Sequence, residues 1–228
     1  MTDSTSKAKR SAHPRRLVLK GLSAFALTGL TGCGGLLPGQ GPPESLYRLT
    51  PKSTFANTSQ IVDWQLVIER PVSNSSLDTT RIALLRTPTQ VEYYARAGWI
   101  DRAPSMIQTL LIESFENSGR IVSVGRENVG LRSDFVLKVE LREFAAFYTS
   151  ETEADVVVAL ILKLVEMPRR TIIGSKRFSA SQAANGESLV SVVEAFDEAL
   201  GKVLKRSVSW TIKLGEENWQ ARRADLDT

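Results

Sequence analysis

The sequence contains a single cysteine, Cys33, and a single histidine, His13, among 228 residues. One cysteine cannot form a disulfide within the chain, so fold stability must come from packing. Both residues lie near the N-terminus, and the chain after position 33 has neither an imidazole nor a thiol. We therefore expect no His- or Cys-based metal site, no Ser-His-Asp or Cys-His catalysis and no cofactor in that part.

The sequence also lacks an apolar run long enough to cross a membrane. The N-terminal apolar stretch from Leu22 to Leu30 is well short of the about 20 residues that a transmembrane helix needs. A basic region, a short apolar region and small residues are typical of a secretory signal. We therefore expect residues 1–32 to be an export signal. Its basic residues are Lys7, Lys9, Arg10, Arg15, Arg16 and Lys20.

Cys33 ends the tetrapeptide Leu30-Thr31-Gly32-Cys33, which resembles the bacterial lipobox. In such signals a lipid is attached to the cysteine thiol, and cleavage makes that cysteine the new N-terminus. A buried structural cysteine is the alternative, and the position directly after a basic and apolar leader disfavours it.

Arg15 and Arg16, followed by Leu17 to Lys20, resemble the twin-arginine export signal. An ordinary Sec signal is the alternative.

Positive charge is concentrated in the predicted export signal. The whole chain carries +4, and residues 1–32 hold six Lys/Arg and one Asp, or +5, which leaves 4 − 5 = −1 for the remaining 196 residues. The net charge of the remaining chain therefore gives no electrostatic reason to expect a nucleic-acid partner.

Glycine and proline dominate residues 34–43. We therefore expect residues 33–45 to be a lipid anchor and a flexible linker that reaches roughly 20 Å.

Apolar periodicity predicts the elements of the remaining chain. Apolar residues alternate with polar ones from Phe135 to Arg142, which is typical of a half-buried strand, and the nearly continuous apolar run from Val156 to Leu164 predicts a central strand. Two apolar stripes near a 3.6-residue period predict one helix between Ala103 and Gly119 and a longer one opened by Ser188. Further strands are expected at residues 65–70, 81–86, 90–95, 121–124 and 171–178.

This order of elements predicts an α/β fold: a single domain over residues 46–214 with a mixed β-sheet packed by two main α-helices. Ser105 and Gln108 have the spacing of a capping box at the start of the first helix. Residues 215–228 are polar, and we expect them to form a C-terminal tail that frays.

Several stretches of this predicted domain resemble the ABC-type transport auxiliary lipoprotein family, which includes the PqiC (YmbA) lipoproteins. They are the lipobox, the start Tyr47-Arg48-Leu49, the strand entry Leu77-Asp78 before Ile82, and Trp99 ahead of the first helix. The resemblance covers roughly residues 45–212. It implies a non-enzymatic, lipid-anchored protein on the periplasmic side of the envelope. Its implied partners are an ABC transporter and the Mce-domain (MlaD-like) protein of a lipid or solvent transport system, with a homo-oligomer compatible with that role.

The same resemblance implies that the protein docks the Mce-domain partner at a membrane. Gly34 stands where many lipoproteins retained at the inner membrane have aspartate, and this favours the outer membrane. An assembly lipoprotein for β-barrel or lipopolysaccharide machinery is an alternative, since one fold serves many functions. An enzyme that uses paired carboxylates is another. Its candidates are Asp101, Glu113 and Glu116, which also fit a helix start and a solvated helix face.

Three aromatic residues precede the first predicted helix: Tyr93, Tyr94 and Trp99. Aromatic side chains are enriched at the centres of protein interfaces. These three are therefore candidates for a partner interface. The alternative is that they pack the first helix against the sheet.

Overall fold

The computed structural model describes residues 44–56, 61–127 and 133–226. The predicted export signal, with Arg15 and Arg16, and the predicted lipidation site Cys33 lie outside the described residues. The described chain forms eight strands and two long helices. The strands are β1 Ser45–Tyr47, β2 Val62–Ile68, β3 Arg81–Thr87, β4 Gln90–Trp99, β5 Ile121–Arg126, β6 Phe135–Tyr148, β7 Ala154–Glu166 and β8 Thr171–Ala183. The helices are α1 Ala103–Asn117 and α2 Leu189–Leu226.

All eight strands belong to one mixed sheet in which β6 is central. One edge of β6 pairs with β7, and β7 pairs with β8, both antiparallel. The other edge is shared, because β2 runs parallel to the start of β6 and β3 runs parallel to its end. Beyond these strands lie β5 on β2, and β4 followed by β1 on β3. The predicted fold class, a single α/β domain with a mixed sheet and two main helices, is confirmed.

Both helices pack on one face of the sheet. One continuous apolar core joins residues of α1 and α2 to the inward side chains of the strands. Leu160, Leu162 and Leu164 of β7 are completely buried in it, which explains the apolar run in that strand. A small cluster of Val67, Val136 and Val165 lies outside this core and contains no helix residue. It marks the opposite face of the sheet, called here the open face.

Helix α1 has the predicted apolar stripe, with Ile107, Leu111 and Phe115 fully buried. It ends before Gly119, whose φ of 62° suits glycine in the left-handed region. The predicted capping box is wrong, because the helix begins at Ala103 without a side-chain cap. The Ser105 hydroxyl instead accepts a hydrogen bond from Arg70, at 3.0 Å.

Helix α2 begins after Ser188, whose hydroxyl accepts a hydrogen bond from the backbone N–H of Ser191 at 3.1 Å. The helix does not fray at Gly215 but continues to Leu226, so that prediction is wrong. The polar sequence after Gly215 is held by specific contacts. The indole N–H of Trp64 donates to Glu216 at 3.1 Å, and Arg222 forms an ion pair with Glu166 at 3.0 Å. None of the described helices is long and apolar enough to cross a membrane.

Candidate functional site

Trp99, a candidate for the partner interface, lies in the core at the end of β4. Its side chain is 1% exposed, and its ring centroid is 5.4 Å from that of Phe144 and 5.2 Å from that of Phe196. A side chain with no exposed surface cannot contact a partner protein directly. This placement favours the packing alternative for Trp99.

Tyr93 is half-buried and packs against the edge of the main apolar core. It pairs with Ala83 of β3, and the Arg81 guanidinium lies 3.9 Å from the centre of its ring. Its hydroxyl donates to the backbone carbonyl of Ser76 at 3.1 Å. The stacked arginine is a cation–π contact. Together, Arg81 and Tyr93 present two of the residue types that are enriched in protein interfaces.

Tyr94 lies on the opposite face from Tyr93, toward the helices. Its hydroxyl is 2.8 Å from that of Tyr148, which is two residues beyond the fully buried Ala146 on β6. Burial, followed by the hydrogen bond with Tyr148, raises the pKa of Tyr94 well above its usual value. Arg86 covers the Tyr148 ring at 4.5 Å. The structure therefore does not bring Tyr93, Tyr94 and Trp99 together on one surface.

A large irregularity in the pairing of β3 with β4 lies next to these residues. Arg81 pairs with Gly98 and Ala83 pairs with Tyr93, so residues 94–97 of β4 lie opposite the single residue Ile82 of β3. Within the bulge Arg96 is exposed and has a φ of 54°, in the left-handed region. Bulges of this kind commonly redirect side chains at the edge of a sheet.

Asp78 organises a contact that the sequence analysis did not predict. Its Oδ1 accepts hydrogen bonds from Arg102 Nε and Arg70 Nη2, both at 2.7 Å, and its backbone carbonyl accepts a further bond from Arg102. The bond from Arg102, and then that from Arg70, lowers the pKa of Asp78. The carboxylate therefore fixes the turn before β3 to the start of α1. The Leu77-Asp78 pair was visible in the sequence, but its distant arginine partners were not.

The segment after β1, residues 48–56, crosses both helices and is called here the N-terminal arm. The Thr50 N–H donates to Asp197 Oδ1 at 2.6 Å, and the Thr50 hydroxyl lies 2.7 Å from Oδ2 of the same carboxylate. The Lys52 N–H donates to the Ser114 hydroxyl at 3.0 Å. The first described part of the chain is thus bonded to α2 and to α1.

Two grooves flank the N-terminal arm. The groove beside α2 has a volume of about 730 Å³ and mixed charge, with Lys202, Lys205, Glu194 and Glu198 in its lining. The groove beside α1 is smaller, about 250 Å³. Neither is enclosed by the core.

The carboxylates proposed for an enzyme do not form a buried pair. Asp101 and Glu113 both line the smaller groove, but Asp101 is exposed and Glu113 is only half-buried. Glu116 is exposed on α1. Asp101 accepts a hydrogen bond from the N–H of Arg102 at 2.6 Å, which is a structural contact at the helix start. In the part of the chain that the structure describes, no group of three or more His, Cys, Asp or Glu residues could hold a metal ion.

Comparison with known families gives one match over most of the described chain. The family described as the ABC-type transport auxiliary lipoprotein component matches residues 47–206. This span includes β1's last residue, the N-terminal arm, all the other strands, α1 and the first half of α2.

Individual proteins are similar to this chain in sequence or in fold. An uncharacterized protein of Bradyrhizobium diazoefficiens is 23% identical over 184 residues, covering 80% of this chain and 49% of that protein. The chain therefore spans about half the length of this curated relative. A crystal structure of a protein from Xanthomonas campestris is 27% identical and has a TM-score of 0.71, covering 77% of this chain and 99% of that one. A solved uncharacterized protein, 14% identical with a TM-score of 0.59 over 74% of this chain and 98% of that one, shares the fold.

Proposed function

The chain belongs to the ABC-type transport auxiliary lipoprotein family, and from this premise we propose that it is a non-enzymatic, lipid-anchored docking subunit of a lipid transport system. The family match over residues 47–206 is the observation that carries the proposal. An auxiliary lipoprotein component has the transporter as its partner and the cell envelope as its location. The description of the family as an auxiliary component supports the non-enzymatic role.

In this proposal the chain has four parts. Residues 1–32 are the export signal, with Arg15 and Arg16 directing the twin-arginine route, and residues 33–45 carry the lipid on Cys33 and the linker. Residues 46–214 are the family domain, and residues 215–228 are the polar end of the chain. The basic and apolar leader before the lipobox supports the first two assignments.

The partner we propose is a Mce-domain protein that works with the ABC transporter, docked at the outer membrane. The resemblance to the PqiC lipoproteins supports this partner, and Gly34 after the lipidation site supports the outer membrane. We assign the partner contact to Tyr93 together with the exposed Arg81. An exposed arginine stacked on a half-buried tyrosine is the kind of contact that stabilises protein interfaces.

The direct test is an in-cell crosslink of the full-length lipoprotein, followed by purification and identification of the bound proteins by mass spectrometry. We expect an Mce-domain protein or ABC transporter subunits. Recovery of β-barrel or lipopolysaccharide assembly components without any transporter would instead favour the assembly function. The Cys33→Ala variant is the matched control, because it keeps the whole domain and removes the lipid.

A pair of neighbouring variants tests the assigned contact. Tyr93→Ala should lower the melting temperature about as much as Tyr94→Ala, because Tyr93 is also half-buried and bonded to Ser76, but only Tyr93→Ala should reduce the recovery of the partner. Tyr94→Ala should lower the melting temperature without selectively reducing partner recovery, because it removes the contact with Tyr148. Normal recovery with Tyr93→Ala would remove Tyr93 and Arg81 from the interface.

A further inference from the structure

Two exposed apolar side chains lie together at the start of the domain. Leu46 on β1 is 62% exposed, and Ile100 just after β4 is 56% exposed. Leu46 pairs with Gly98, and the N–H of Ile100 donates to the carbonyl of Tyr47 at 2.9 Å, which continues the ladder. Because residues two apart in a strand share a face, Leu46 and Ile100 project to the same side. Tyr47 and Trp99 project to the other side, into the core.

Charged groups of both signs surround this apolar pair. Arg48 is exposed and lines the groove beside α1 together with Ile100. Arg96, exposed in the bulge, directly precedes Ala97, which pairs with Ser45. The Glu44 carboxylate lies over Gly98. A phospholipid headgroup layer also carries both signs, with phosphate for the arginines and an ammonium group for the glutamate. The apolar side chains of Leu46 and Ile100 suit the boundary between the headgroups and the acyl chains.

Residues 33–43 of the proposed lipid anchor and linker directly precede Glu44 and β1 in the chain. Ten residues lie between Cys33 and Glu44, and a Gly/Pro-rich linker of that length would span roughly 20 Å. A lipid on Cys33 would therefore hold β1 close to the bilayer. A contact too weak to bind a free domain can orient a tethered one, since the tether gives it a high effective concentration.

We propose that the surface formed by Leu46, Arg48, Arg96 and Ile100, called here the β1 surface, rests on the phospholipid bilayer that holds the lipid anchor. This inference depends on the lipid anchor of the proposed function. Ile172 on β8 and Val122 on β5 are exposed to a similar or greater extent, at 55% and 70%. They lie on other edges of the sheet, away from the point where the chain enters the domain.

The test uses the lipidated full-length chain in vesicles of phosphatidylethanolamine with a minor share of phosphatidylglycerol. Leu46→Cys introduces a second cysteine, and it is the only free thiol once Cys33 is lipidated. An environment-sensitive fluorophore on that thiol should shift its emission to the blue and be quenched by spin-labelled lipids. Ile100→Cys should behave in the same way. The same fluorophore on Ile172→Cys, the matched control, should show neither effect.

Two outcomes would overturn the inference while leaving the anchor intact. In the first, the chain floats with the vesicles, but the fluorophore at position 46 shows the same emission wavelength and the same lack of quenching as the fluorophore at position 172. The second is a blue shift that appears without vesicles and grows with protein concentration, which would assign the β1 surface to a second copy of the chain. Failure of the unlabelled chain to float, with no difference from Cys33→Ala, would instead contradict the proposed function and this inference with it.

Discussion

The two halves of α2 dock against the same sheet by different means. The first half, up to Leu204, presents a continuous apolar stripe in which Phe196, Leu200 and Leu204 are fully buried. The second half continues the stripe through Val208 and Ile212 but adds small and polar groups to the buried face. Ser207 and Thr211 are also fully buried, and their hydroxyls have no hydrogen-bond partner among the described residues. Burial alone therefore does not distinguish the two halves, but the chemistry of what is buried does.

In the second half of α2, close contacts between individual groups supplement the apolar packing. Gly215 lies against the Trp64 ring, so closely that a Cβ there would be 2.7 Å from Trp64 Cζ2. Trp219 packs edge-on to Phe135, with ring centroids 6.5 Å apart. The ion pair between Arg222 and Glu166 lies near the end of the helix. Beyond Ile212, where the apolar stripe thins out, these matched contacts hold the rest of the helix.

The largest effect should come from the apolar half. Phe196→Ala removes a ring that contacts both Trp99 and Phe144 in the core. We expect a loss of about 3–5 kcal/mol in the free energy of unfolding, measured by denaturant titration. Val190→Ala on the same helix is the control, because Val190 is 54% exposed and should change little. A similar small loss for both variants would contradict the assignment of the core.

The ion pair of the polar half should come next. Glu166→Gln leaves the Arg222 guanidinium without its counter-charge, next to a side chain that is only 3% exposed. Because Arg222 is partly exposed, we expect a loss of about 2–3 kcal/mol, at or below the range for breaking a buried pair. The control is Glu198→Gln, which breaks an exposed pair with Lys202 and should cost at most about 0.5 kcal/mol. Equal losses would show that burial of the pair has no effect.

Two glycines of α2 offer a matched comparison of close fit. Gly215→Ala places a methyl group against Trp64, and we expect a net loss of about 1–2 kcal/mol, because overpacking outweighs the better helix propensity of alanine. Gly201→Ala meets open space and should gain up to about 1 kcal/mol. Thermal melts followed by circular dichroism measure both. A gain at both positions would show that Trp64 yields to the added methyl group.

The smallest effect should come from the exposed cluster around Asp78, which serves as a reference for the buried pair. Its pKa is lowered in the folded state, so Asp78 stabilises the fold above its unfolded value of about 4. That contribution is lost as the pH falls through the lower folded value. Denaturant titrations between neutral pH and about pH 3 should therefore show a smaller acid-induced loss for Asp78→Asn than for the natural chain. Parallel curves would mean that the two arginines do not stabilise the carboxylate.

The contrast between the halves of α2 also explains how far the sequence predicts the fold. The stripe through Ile107 and Phe115 and the alternation from Phe135 were sufficient for α1 and β6, because apolar periodicity reports burial directly. The sequence after Gly215 has no such period, and its partners Trp64 and Glu166 lie far away in the chain. Helix propensity in this segment, which is rich in Glu, Gln, Ala and Arg, agrees with the helix, but no local pattern shows that it packs on Trp64 and Glu166.

The same reasoning applies to the candidate site. Tyr93, Tyr94 and Trp99 are close in the sequence, and they were grouped because of that proximity and their aromatic character. The bulge around Arg96 and the alternation of the strand send the three side chains to different places. The contacts of Asp78 were hidden for a related reason, since Arg102 is 24 residues away and Arg70 approaches from β2's end.

The position of β1 also determines how the domain bears mechanical load. Any pull carried by the chain before Glu44 enters the domain at β1, which runs parallel to β4 over Ser45–Tyr47. The N-terminal arm directly beyond it is bonded to Asp197 and Ser114. Tension directed along the strand would act in shear on the ladder first, and the arm would bear the load once the ladder gives way. Bonds loaded in shear must break together rather than one after another, so this short strand resists detachment from the point where the chain is pulled.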